Sequence, residues 1–310
     1  MGECVQRLVS GWLRFAEACL PVPILVLLLF PAAGVMAIYE LLMGKRQSTF
    51  RQLRQMSESA RRSGIQWHRC SIGQVFAARL AMCMARFLRY WPEKLREPRW
   101  SRRCEFIGLE RLERILAEGR PVVLATLHYG NLTELYHWMR SRGIGVAFLA
   151  WRDPGSVPAY QNRLDLLADL ANGLEGVPRL IGIGHLNLGQ TRDFLASPNR
   201  VLAVALEGRT KRDLLVQGPG YTLRMAPGAL HLAALAQASV IPCIMSAEKY
   251  LRSTIRFGEP LPNDLVAFRD RHPLGYKHIL GELGPWITVQ PEQSAPELIH
   301  ALTFREPSDS

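Results

Sequence analysis

A chain of 310 residues, 48% of them hydrophobic, carries enough apolar mass to bury a sizeable core, which excludes disorder as its general state. Its formal charge of +11 at pH 7 points to anionic partners, with nucleic acid, an anionic membrane face and an acidic carrier protein all compatible in sign. None of the six cysteines stands in Cys-x-x-Cys spacing, which argues against a disulfide framework or a zinc site and for reduced thiols in a cytoplasm-facing protein.

From Ala18 to Tyr39 no residue is charged. That length is near the roughly 20 residues that cross a bilayer as a helix. Pro21, Pro23 and Pro31 each lack a backbone donor, so a kinked span and a short re-entrant hairpin fit equally well. A cleaved signal peptide is the remaining option, with the small residues Ala32, Ala33 and Gly34 near the apolar stretch. Arg7 and Arg14 precede the stretch, and Lys45, Arg46, Arg51 and Arg54 follow it, which favours the longer, more basic side in the cytoplasm.

Residues 45–66 are basic and polar with helical composition. Residues 72–97 read as a further helix, with Val75, Phe76, Leu80, Met84, Phe87 and Leu88 on a broad apolar face and Arg79, Arg86, Arg89 and Lys94 spread through it. A basic amphipathic helix of this kind suits a membrane surface, and an ordinary core-packed helix accounts for it equally well.

From residue 105 to 257 the chain has a regular rhythm. Apolar, β-rich runs at 122–127, 146–150, 180–183, 201–206 and 240–245 alternate with helical stretches, and 254–257 adds one more strand. This predicts an α/β fold with a largely parallel central sheet flanked by helices, preceded by a hydrophobic, membrane-associated helical segment. The expected organisation is a membrane-anchoring segment over residues 1–50, the α/β domain over 51–290 and a mobile tail over 291–310.

The run PVVLATLHYGNLTELYHWM places His128 where a buried strand ends and a helix begins, with Tyr129, Gly130 and Asn131 making the turn and Asn131 as N-cap. Open α/β sheets bind ligands outside the carboxyl ends of their strands. A helix N-terminus there also offers backbone N–H groups to developing negative charge. His137, His231 and the other histidines lack such a setting and read as structural or surface residues.

The stretch FIGLERLERILAEGRPVVLATLHYGNLTE closely resembles the segment of the lipid A biosynthesis acyltransferases, and of the related phosphatidylinositol mannoside acyltransferases, that leads into their His-x4-Asp/Glu motif. Gly108, Glu110, Leu112, Gly119, Arg120, Pro121, His128, Gly130 and Asn131 carry the likeness. A second block, VLAVALEGRTKRD followed by YTLRMAPGALHLAALAQASVIPCIM, resembles that family's strand ending in an acid and its Pro-Gly-x-x-x-Leu-Ala helix. Glu207 takes the acidic position, Arg209 lies two beyond, and Pro227, Gly228 and Ala233 open the helix.

One departure matters. The family's acid falls five positions after the histidine, where this chain has Thr133, and Glu134 comes one later. At about 100° of rotation per helical residue, that slip turns the side chain well off the original direction. Either the helix start shifts and Glu134 reaches His128, or Glu207 orients the imidazole, and Glu207 is the favoured partner. A site in which neither acid reaches His128 would be a degenerate, lipid- or carrier-binding relative.

The resemblance implies an O-acyltransferase of the glycerol-phosphate acyltransferase superfamily that moves a fatty acyl group from a thioester to a hydroxyl of a lipid or glycolipid acceptor. His128 is the general base, with Glu207 or Glu134 as its acid. Gly130, Asn131 and Arg209 are candidates for meeting the oxyanion, and Arg152 and Arg224 are candidate phosphate-binding residues, a surface role being the alternative for both. No cofactor and no metal are expected, with acyl carrier protein or coenzyme A thioester as co-substrate. The expected partners are a membrane lipid acceptor and the membrane itself, with the domain on the cytoplasmic face of the inner membrane. Interleaved aromatics and a helix-turn-helix signal are both missing, so nucleic acid is not an expected partner.

Overall fold

The computed structural model of the chain describes residues 20, 22–43, 49–62, 64, 71–85, 101–130, 132–150, 180–182, 188–208, 213–248 and 251–304. Three helices come first: α1 (Val22–Met43), α2 (Thr49–Arg62) and α3 (Ile72–Ala85). α1 runs unbroken through Pro31, so residues 22–43 form one helix and not a re-entrant hairpin. Leu29, Ala33 and Ala37, spaced by four, share one buried face, and α1 packs on α3. Its other side leaves Ile24, Leu27, Phe30, Val35 and Ile38 exposed. Among the described residues no helix is long and apolar enough to cross a membrane. The basic flank at Arg7, Arg14, Lys45 and Arg46, and the part of the expected helix beyond residue 85, lie outside the described residues.

The α/β body follows as β1 (Cys104–Ile107), α4 (Leu109–Ala117), β2 (Val122–Thr126), α5 (Leu132–Ser141), β3 (Gly145–Ala150), β4 (Leu180–Gly182), α6 (Leu188–Ala196) and β5 (Arg200–Ala205). After these come β6 (Leu214–Gln217), β7 (Tyr221–Met225), α7 (Gly228–Leu235), β8 (Ser239–Glu248), β9 (Arg252–Phe257), α8 (Asn263–Ala267), α9 (His272–Val289), α10 (Pro296–Ala301) and β10 (Leu302–Phe304). Seven strands form one sheet in the order β1-β9-β8-β2-β5-β3-β4. β8, β2, β5, β3 and β4 are mutually parallel, while β9 pairs antiparallel with the far half of β8 and carries β1 parallel to itself. The largely parallel α/β sheet expected from the sequence is therefore present.

All five residues of β2 are buried, as a strand covered on both faces requires. Alternate side chains serve opposite cores. Val123, Ala125 and Leu127 join the cluster that includes Leu230, Ile279 and Leu298, whereas Val122 and Leu124 join the one that includes Leu112, Leu135 and Trp138.

Two features differ from the sequence reading. A second, antiparallel sheet, β10-β7-β6, stands beside the first. Along β7 only every second residue (Tyr221, Leu223 and Met225) is buried, so its sequence lacks the continuous apolar run that marks the central strands. The expected mobile tail is corrected for residues 291–304. There Ser294 and Leu298 are fully buried, α10 packs on α2, and β10 pairs with β7. Its polar composition hides this, because its backbone groups are used by neighbours distant in sequence. Residues 305–310 lie outside the described residues.

Candidate active site

β2 and β5 are parallel neighbours with Thr126 opposite Ala205, and Leu206 N–H continues the ladder by donating to the Thr126 carbonyl at 2.9 Å. The chain segments that leave their carboxyl ends therefore run side by side. One carries His128 and the other Glu207. The Glu207 side chain is 1% exposed, and that of His128 is 39% exposed. Nδ1–H of His128 donates to Glu207 Oε2 at 3.0 Å, and the backbone N–H of His128 donates to Glu207 Oε1. A carboxylate accepts only, so this contact places a ring proton on Nδ1, and in the neutral ring Nε2 then carries the lone pair.

The acid is itself held from the second sheet. Glu207 bridges Met225, Gly208 N–H donates to the Arg224 carbonyl at 2.9 Å, and Ala226 N–H donates to the Leu206 carbonyl at 2.7 Å. The histidine loop is held just as closely. Tyr129 N–H closes a tight turn onto the Leu127 carbonyl at 2.7 Å. Gly130 has φ 61°, and a Cβ there would run into the Met245 carbonyl, so the loop lies flush against β8 as only glycine permits.

Residues 290–295 form the other wall. Gly130 N–H donates to the Gln293 carbonyl at 2.8 Å, Ala295 N–H to the His128 carbonyl at 2.9 Å, and Tyr129 bridges Ser294. The Tyr129 hydroxyl lies 3.1 Å from the Trp286 carbonyl and 3.0 Å from that of Gln290. These contacts bear on the expected oxyanion site. The amides of His128, Tyr129 and Gly130 are engaged by Glu207, Leu127 and Gln293, so Gly130 does not offer its N–H to a substrate in this arrangement.

Glu134 is not brought to His128. It stands in the first turn of α5, buried, where its carboxylate accepts the Ser253 hydroxyl from β9. It also lies close enough to Cys104 for its charge to count. Burial first, and the Glu134 charge second, push the Cys104 thiol well above its ordinary value. Arg224 is exposed on β7, and its backbone carbonyl accepts the Gly208 N–H beside Glu207. Asn131, Arg152 and Arg209 lie outside the described residues. His137 is buried beside Tyr136, with ring centroids 5.3 Å apart. Among the described residues no group of three or more His, Cys, Asp or Glu side chains could hold a metal ion.

Sequence reasoning missed Arg79, Gln293 and Ser294. For Arg79 a signal exists, since it follows Val75 by four and precedes Cys83 by four, on the buried stripe of α3. For Gln293 and Ser294 no local signal exists.

Comparison with known proteins bears on the same stretch. Residues 69–164 match the family described as bacterial lipid A biosynthesis acyltransferase. The match is to an acyltransferase family. It covers α3, β2, the His128 loop and α5, and it supports the resemblance drawn from the sequence. It ends before Glu207 and so does not bear on the pairing of Glu207 with His128. No curated protein gives a significant match. Among solved structures, the chain is similar to the 1-acyl-sn-glycerophosphate acyltransferase PlsC from Thermotoga maritima, at 11% identity and a TM-score of 0.40, over 85% of this chain and 98% of that one.

Proposed function

We propose that the protein transfers a fatty acyl group from a thioester, carried by acyl carrier protein or coenzyme A, to a hydroxyl of a lipid or glycolipid acceptor. The observation that carries this reading is the contact of His128 Nδ1 with the buried Glu207 carboxylate at 3.0 Å. An acceptor hydroxyl is a weak nucleophile at neutral pH, and a positioned imidazole contributes about 10²–10⁴-fold as general base.

His128 Nε2 takes the hydroxyl proton while the alkoxide oxygen bonds to the thioester carbonyl carbon. The tetrahedral intermediate then expels the thiolate as the C–S bond breaks. The proton held on Nε2 passes to the departing sulfur, and the imidazole returns to its starting state. Glu207 keeps Nδ1–H throughout and stabilises the imidazolium between the two proton transfers. Asn131 and Arg209 stay the sequence candidates for meeting the oxyanion, and the amides of His128, Tyr129 and Gly130 are engaged within the protein.

The reading extends to a membrane acceptor, with the protein on the cytoplasmic face of the inner membrane. Support comes from the exposed apolar side of α1 (Ile24, Leu27, Phe30, Val35 and Ile38) and from the surplus of positive charge, which suits anionic headgroups. A lipid A precursor is the acceptor class suggested by the family match.

The test is incorporation of labelled acyl groups from acyl carrier protein and from coenzyme A into a membrane lipid extract, wild type beside His128→Ala. Label in a lipid that depends on His128 supports the reading. No incorporation by folded protein from either donor, across a broad lipid panel, would replace it with a lipid- or carrier-binding role for the same fold.

A further inference from the structure

α3 packs against α1, and also against β8 and the turn at Pro291–Gln293. Its inward stripe is Val75, Arg79, Met82 and Cys83, all buried, so a guanidinium occupies a position where the helix otherwise presents apolar groups. Burying a charged group is costly unless its hydrogen-bonding capacity is used. Arg79 Nη2 donates to the Ser294 carbonyl at 2.6 Å, a charge-assisted bond to a residue with no exposed surface.

Ser294 is the middle of the segment that walls the histidine loop. It bridges Tyr129, and on its two sides the Gln293 carbonyl accepts Gly130 N–H while Ala295 N–H donates to the His128 carbonyl. The same segment is fastened to β8 by the Gln293 side chain. Its Nε2 donates to the Ala247 carbonyl at 3.0 Å, and its Oε1 accepts Ala247 N–H at 3.4 Å. One edge of residues 293–295 thus lies on the catalytic loop, and Arg79 holds the segment in place from α3.

We infer that Arg79 is a positioning residue for His128, acting through residues 293–295 and linking the α1–α3 layer to the imidazole. The inference rests on the reading of His128 as the base. Losing the Arg79 donor leaves a buried carbonyl without its charge-assisted partner and lets the segment, and with it the loop, shift relative to Glu207.

The test uses the full chain in detergent, with Arg79→Met, Arg79→Lys and, as a second break in the same segment, Gln293→Met. Per folded molecule, Arg79→Met is expected to lose about 100-fold in kcat with KM within about twofold of wild type, since small misplacements of a catalytic group cost that much. Arg79→Lys, which keeps a cationic donor, restores most of the loss. The side-chain ¹⁵N signals of His128, identified by their disappearance in His128→Ala, are expected to move in Arg79→Met and Gln293→Met and to lie near wild type in Arg79→Lys. Unchanged kcat per folded molecule and unmoved His128 signals in both methionine variants would overturn the inference. If Arg79→Met does not fold, Gln293→Met and Arg79→Lys decide it on the same two readouts. If wild type transfers no acyl group at all, the functional reading fails by itself, and the imidazole spectra still decide whether Arg79 holds His128.

Discussion

Glu207 grips His128 at two atoms, accepting the ring Nδ1–H at 3.0 Å through one carboxylate oxygen and the backbone N–H through the other. Ring and backbone are therefore referenced to a single buried group that comes from 79 residues away. An acid carried on the helix next to the histidine would move with that helix. An acid at the end of the neighbouring parallel strand is set instead by the ladder between β2 and β5 and by the bridge to Met225.

Glu134 is expected to act on stability and not on the chemical step. Its carboxylate is buried against the Ser253 hydroxyl, so Glu134→Ala and Ser253→Ala should each cost on the order of 1–3 kcal/mol of folding free energy. Urea unfolding of both variants and of the double variant measures this, and a double-variant cost below the sum of the two confirms that the groups act as a pair. Acyl transfer per folded molecule should change little in Ser253→Ala.

Gly130→Ala should damage both folding and transfer. The residue has φ 61° and lies flush on the Met245 carbonyl, so an added Cβ meets a backbone conformation that disfavours it and a neighbour that is itself main chain. A destabilisation of more than about 1 kcal/mol in thermal or urea unfolding is expected. The folded fraction should also transfer poorly, because a displaced Gly130 carries the His128 loop with it.

Alkaline pH should weaken the fold. Burial pushes the Cys104 and Cys243 thiols above their ordinary 9.0, and raises the Tyr221 and Tyr276 hydroxyls from 10.0 to about 12. Each group stays protonated in the folded chain at pH values where the unfolded chain ionises it. Its contribution is complete below the unfolded value and is lost as pH rises towards the folded one, at about 1.4 kcal/mol per pH unit for each group. Thermal unfolding followed from about pH 8 to about pH 10.5 should show a falling Tm, with a shallower fall in Cys243→Ala. A Tm that stays flat across that range would contradict the linkage.

What the sequence made legible follows from how each element buries its residues. β2, β5 and β8 read as strands because both faces are covered and their apolar runs are continuous. β7 and β10 were not legible, since one alternates buried with outward residues and the other spans three positions. The end of β2 marked His128 as a place for chemistry, but no periodicity says that β5 lies beside β2 when β3 and β4 intervene in the chain. The approach of Glu207 was suggested by family resemblance alone. Arg79 looked like one more basic residue on an amphipathic helix, because the carbonyl it meets belongs to Ser294, 215 positions away.

Whether Glu207 holds His128 as the base of an acyl transfer is decided by kcat for Glu207→Gln beside that of Glu134→Gln and wild type, with labelled acyl thioester and a membrane lipid acceptor. Glu207→Gln is expected to lose about 10²–10⁴-fold, because the amide no longer fixes the tautomer or stabilises the imidazolium, while Glu134→Gln keeps most of its rate per folded molecule. Full activity in Glu207→Gln, or a loss confined to Glu134→Gln, would contradict it.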